Sequence, residues 1–137
     1  MKKTFKFQIY FLLLILVTTS TTSCKKEDDS LSNQESALVG KWSLKGVDEG
    51  SGLKPFNEYF VWELNSDGKG FSKYRQDGTG SLVTFSLIWE VSSDNILRIS
   101  RDGGQDWQRE RILKISSSEL WTYDMDFDEG LRYIKVQ

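Results

Sequence analysis

The sequence predicts an all-β domain, an eight-stranded antiparallel up-and-down barrel over residues 38–137, preceded by a cleaved leader and a disordered tether. Three observations predict it. From Leu38 onward, short runs alternate apolar and polar residues, the period of a strand with one buried face. The runs are separated by clusters of Gly, Asp, Asn and Ser, which accept the backbone angles of tight hairpins. No run of helical period longer than two turns follows residue 37.

The clearest run is Leu82–Val91, where Val83, Phe85, Leu87, Trp89 and Val91 share one face. Leu38–Val47 groups Gly40, Trp42 and Leu44, and Glu58–Leu64 groups Phe60, Trp62 and Leu64. Leu120–Phe127 groups Trp121, Tyr123, Met125 and Phe127, leaving Asp124 and Asp126 to solvent. Gly70–Arg75, Ile96–Arg101, Trp107–Ile115 and Leu131–Val136 complete eight strands. The longest link, Asp48–Asn57, carries the sole proline, Pro55. Consecutive hairpins with one apolar face each must hide both faces and edges. Closure into a barrel does so and leaves room for side chains or one small ligand; a two-sheet sandwich is the alternative.

Before this domain lie two other segments. Residues 1–23 begin with Lys2, Lys3 and Lys6, continue through the apolar run Ile9–Val17, and end in small residues, which describes a secretory signal peptide. The apolar run is shorter than the about 20 residues that span a bilayer. Residues 24–37 are almost wholly polar and bury too little to offset ordering, so they read as a flexible tether. Cys24, directly after Ser23, resembles the acceptor of a bacterial lipoprotein, although Thr21 stands where leucine is usual. That resemblance implies an acylated, palmitate-type anchor on the outer membrane of a Gram-negative cell, at its periplasmic face or its surface. Lys26–Asp29 is similar to the export signal of surface lipoproteins, and Asp29–Leu31 to a short O-glycosylation acceptor.

Composition excludes several classes. Without the leader lysines the chain carries 15 basic against 20 acidic residues, a net charge of −5, with no basic stripe for nucleic acid. There is no histidine, which removes the common nucleophile pairs and zinc sites, and the single cysteine forms no disulfide framework. The acidic stretch Asp124–Gly130 lacks the Gly and Glu spacing of a calcium loop. No cofactor or metal site and no enzymatic activity is expected; binding is the stronger class.

Gly40-Lys41-Trp42 opens the first strand and resembles the Gly-x-Trp signature of lipocalins, and residues 38–137 look like the short lipocalin-like domains of bacterial lipoproteins. The resemblance implies that Trp42 closes the barrel base and that Arg132, from the last strand, packs over it. The family's Thr-Asp-Tyr segment is absent, since Thr122-Tyr123-Asp124 has another order.

Five tryptophans are many for this length, and most would fill core. As lining of a cavity, the candidates are Trp62, Trp89, Trp121 and Tyr123. If Leu113 and Ile115 point inward, period two brings Trp107, Arg109 and Arg111 inward as well. There the two arginines would hold the carboxylate or phosphate of an amphiphile. Alternatively, a bulge after Arg111 turns both outward, or Glu63, Glu90 or Glu110 pairs with them. The expected function is a membrane-anchored protein that binds a small apolar or amphiphilic ligand; the competing expectation is a filled barrel whose loops bind another protein.

Overall fold

Each alternating run becomes a strand. The computed structural model describes residues 33–75 and 80–137. The leader, Cys24, the Lys26–Asp29 and Asp29–Leu31 signals and positions 76–79 lie outside the described residues. The strands are β1 (Gly40–Asp48), β2 (Lys54–Pro55), β3 (Tyr59–Leu64), β4 (Lys69–Arg75), β5 (Val83–Val91), β6 (Ile96–Ser100), β7 (Gln108–Ile115), β8 (Glu119–Asp124) and β9 (Glu129–Val136). All pairings are antiparallel between neighbours, and β9 returns to β1 to close the barrel. The eight expected strands are present. The addition is β2, two residues around Pro55, which lie against Gly46 and Val47 where β3 no longer pairs with β1.

One boundary moves. Residues 33–38 are helical, so the end of the segment expected to be tether is ordered. The cause is Leu38, fully buried, whose carbonyl accepts a 2.7 Å hydrogen bond from Trp42 Nε1 and so ties the helix end to the barrel floor. Gly40 then turns the chain into β1 with φ near +135°, and a Cβ there would lie 2.6 Å from Lys135 Cε. Gly70 is constrained more tightly, since a Cβ would sit 2.0 Å from the Glu63 carbonyl oxygen.

The floor is packed by Trp42, Leu64, Leu87, Trp89, Leu97 and Leu120, all buried. Each large apolar side chain contributes about 1.5–3 kcal/mol relative to exposure. Above the floor, Trp62 stacks on Tyr133, centroids 4.6 Å apart, and Phe60 meets Trp62 edge-on at 5.8 Å.

β8 has the opposite parity to the expected one, and β7 follows the alternative in which a bulge after Arg111 leaves both arginines outward. On β8 the buried residues are Leu120, Thr122 and Asp124, while Trp121 and Tyr123 face outward. On β7 Glu110 is buried, with Gln108 and Ile112 on its face, and Arg109 and Arg111 are exposed. A bulge reconciles this face with Ile115 at the core. Ile112 pairs with Thr122 and Lys114 with Trp121, so Leu113 is the extra residue and is pushed into solvent.

Candidate functional site

The open end of the barrel carries the site. It is formed where β1, β4, β6 and β8 finish and where β3, β5, β7 and β9 begin. An inner cavity of about 460 Å³ lies above the Trp62–Tyr133 stack, with Leu44, Phe56, Phe60 and Leu131 as its apolar wall. An outer hollow of about 810 Å³ lies between Phe85, Ile99, Trp107 and Phe127. Arg101, Gln108 and Phe127 line both.

The polar wall is built by the parity of β7 and β8. Gln108 Nε2 donates to Glu110 Oε1 at 2.9 Å and to Asp124 Oδ2 at 3.0 Å. Thr122 Oγ1 bonds Glu110 Oε2 at 2.6 Å, and the Tyr133 hydroxyl lies 3.3 Å from both Glu110 oxygens. Burial pushes the Glu110 carboxyl up to about 8; Asp124 adds to the rise, and the Thr122 and Tyr133 hydrogen bonds and Arg101 oppose it. At neutral pH Glu110 is therefore a neutral acid. Burial and the neighbouring Glu110 push the Tyr133 phenol well above its ordinary value. Asp124 Oδ1 accepts the backbone N–H groups of Asp126 and Phe127, so this carboxylate also holds the β8–β9 turn.

Arg101 follows β6 and is exposed at the barrel mouth, where its Nε donates to Ser72 Oγ at 3.1 Å on the buried face of β4. Among the described residues no carboxylate forms an ion pair with it.

The expected site residues separate. Trp62 lines the inner cavity. Trp89 is buried at the closed end, where its Nε1 donates to the Asn65 and Lys69 carbonyls at 3.0 and 3.1 Å. Arg109 is exposed and forms an ion pair with Asp126 at 2.6 Å, touching only the outer hollow. Arg111 is exposed on the outer wall. Trp121 lies outside under Arg132, 5.5 Å from the guanidinium, and Tyr123 faces outward with its hydroxyl on Asp128. Arg132 therefore does not cover Trp42. That position belongs to Lys135, directly across the closing β1–β9 ladder, with Nζ 5.0 Å from the indole. Phe127, placed inward by alternation, is 74% exposed in the turn after β8. Arg101, Gln108, Glu110 and Tyr133 were not among the expected site residues. The available signal was the shared parity of Gln108, Glu110 and Ile112, read against the wrong partner set.

The barrel thus opens at one end onto hollows with an aromatic wall, a polar wall and a guanidinium at the mouth. Residues 38–121 match the family described as Lipocalin-like domain, and the chain belongs to that family. Among solved structures it is similar to a lipocalin-like protein from Bacteroides uniformis, at 16% identity and a TM-score of 0.58, covering 73% of this chain and 99% of that one. It also resembles a deswapped triple mutant of bovine odorant binding protein, at 15% identity and a TM-score of 0.42, covering 73% and 74% of the two chains. No curated protein matches the chain.

Proposed function

We propose that this protein is held on a membrane by an acylated Cys24 and binds, without catalysis, a small amphiphile whose anionic group is taken by Arg101. The observation that carries the reading is Arg101 at the barrel mouth, held by Ser72, lining both cavities and without an ion-pair partner among the described residues. A guanidinium whose Nε is already positioned keeps its terminal nitrogens for a carboxylate or phosphate. The neutral state of Glu110 supports this, because it removes a negative charge beside the incoming anion. The apolar part of the ligand has Phe56, Phe60, Trp62 and Leu131 to pack against. The two buried acids favour binding over catalysis, since Glu110 is fully enclosed and Asp124 is engaged by three donors.

The test is titration with palmitate and with its methyl ester, followed by tryptophan fluorescence. The acid is expected to bind more tightly than the ester. Arg101→Ala should weaken the acid by about 10- to 100-fold, from about 1.5–3 kcal/mol for a charge-assisted hydrogen bond, and leave the ester unchanged. Equal affinity for acid and ester in the unsubstituted protein refutes the role of Arg101. For the anchor, palmitate labelling in cells should be lost in Cys24→Ala; retained label sinks it.

A further inference from the structure

Strand β5 is longer than the wall it belongs to. On one side Val83–Ile88 pairs with β4, but on the other the ladder with β6 covers only Ile88–Val91. Beyond Ser100 the chain leaves the sheet, and among the described residues no strand pairs with Val83–Leu87 on that side. The backbone phase identifies which groups are free. Trp89 N–H bonds the Gly68 carbonyl in the β4 register, so odd-numbered β5 residues direct their N–H and C=O groups to β4. Thr84 and Ser86 direct theirs to the empty side.

Exposed edges of this kind are usually blunted by lysine, proline or a bulge. Here Gly80–Trp89 contains no charge and no proline. Phe85 is 47% exposed and Val83 43%. The outer hollow beside Phe85 leaves space for an added strand.

We propose that this edge is a self-association surface, on which β5 of a second copy pairs antiparallel about a twofold axis at Phe85. In that register Thr84 faces Ser86 of the copy and each pair exchanges two hydrogen bonds, so all four free groups on each edge are used. The strand itself carries no charge from Gly80 to Trp89, so two copies meet along it with no like-charge contact between strand residues. A twofold pairing is self-complementary by construction. Phe85 meets its symmetry mate at a non-hydrogen-bonded position, with Cα atoms about 4.5 Å apart, and both rings lie on the same face.

The test uses the full-length chain in detergent micelles. Phe85→Cys should form a disulfide-linked dimer on mild oxidation, since the pair lies within disulfide reach. Leu113→Cys, exposed at the β7 bulge, should remain monomeric. Thr84→Pro removes only an N–H that points away from β4. Added to Phe85→Cys it should abolish trapping with the thermal midpoint unchanged, and the unsubstituted chain should sediment as a dimer. A monomer in sedimentation, trapping of Phe85→Cys no greater than of Leu113→Cys, or trapping that survives Thr84→Pro overturns the proposal. If Thr84→Pro lowers the midpoint, Ser86→Lys is the substitute, and its dimer must be lost.

Discussion

Glu110 makes the stability of this barrel depend on pH in a direction opposite to that of most surface acids. Its carboxyl is fully buried and titrates near 8 when folded, against an ordinary 4.5. Between those values the folded chain keeps a proton that the unfolded chain has released. Stability therefore falls as pH rises across that window and levels off above it. The interval corresponds to on the order of 5 kcal/mol, an upper bound because water entering the cavity would soften the loss. The charged and titratable groups around Glu110 come from three directions: Asp124 on β8, Tyr133 on β9, and Arg101 after β6. Glu129 is also raised, chiefly by burial, and adds a loss of the same sign.

Glu110→Gln isolates the first contribution, because it keeps the shape and a neutral group while removing the titration. Urea unfolding at a series of pH values is the assay. At low pH the variant should be within about 1 kcal/mol of the unsubstituted chain, since Gln108, Thr122 and Tyr133 can still bond an amide. By about pH 9 it should be the more stable of the two by several kcal/mol. The difference between the curves removes the shared titration of Glu129, Asp102, Asp126 and Glu119. A difference that is flat, or that favours the unsubstituted chain as pH rises, refutes the assignment of a neutral buried acid.

Other outcomes follow from the packing. Gly70→Ala forces a Cβ into the Glu63 carbonyl and should cost more than about 3 kcal/mol in thermal or chemical unfolding. Lys135→Ala should cost about 0.5–1 kcal/mol and change Trp42 emission, whereas Arg132→Ala should leave that emission unchanged because it uncovers Trp121 and Glu119 on the outer wall. Arg111→Ala should leave palmitate affinity within about twofold, while Trp62→Ala should lower it by about tenfold or more, read by the same fluorescence titration in a background where Trp89 reports.

The strands and the closure were legible because a barrel of hairpins imposes period two and turn chemistry on every segment. Gly40, Trp42, Leu44, Phe60, Trp62, Leu64, Leu87 and Trp89 share the faces that alternation assigns them, and Trp42, Leu44, Trp62, Leu64, Leu87 and Trp89 are buried. Val83 and Phe85 obey the same parity but stand above the level at which β6 still covers them. The pattern shows which residues share a face. It does not say where the wall ends.

Alternation gives the wrong parity on β8 and leaves it open on β7, where a bulge after Arg111 is one of the alternatives, and there the candidate site was lost. Leu120, Thr122 and Asp124 alternate with Trp121, Tyr123 and Met125, and hydrophobicity alone favours the aromatic set inside. Register decides otherwise: Leu120 lies across from Tyr133, Thr122 from Leu131, and Trp121 from Arg132, so an inward Trp121 would bring Arg132 in with it. The interior volume is already taken by Trp42, Trp62, Trp89 and Tyr133. The same register places a cation beside each of two indoles, Lys135 opposite Trp42 and Arg132 opposite Trp121, which is why the cation of the base is three residues from the expected one. With β8 reversed, Asp124 turns inward opposite Glu110, and two acids become neighbours in a closed space. Their cost is contained by Gln108, which donates to both, and by the proton Glu110 retains. A polar wall of this kind is expensive in a barrel that has only to be filled, and it is placed where the inner cavity meets Arg101.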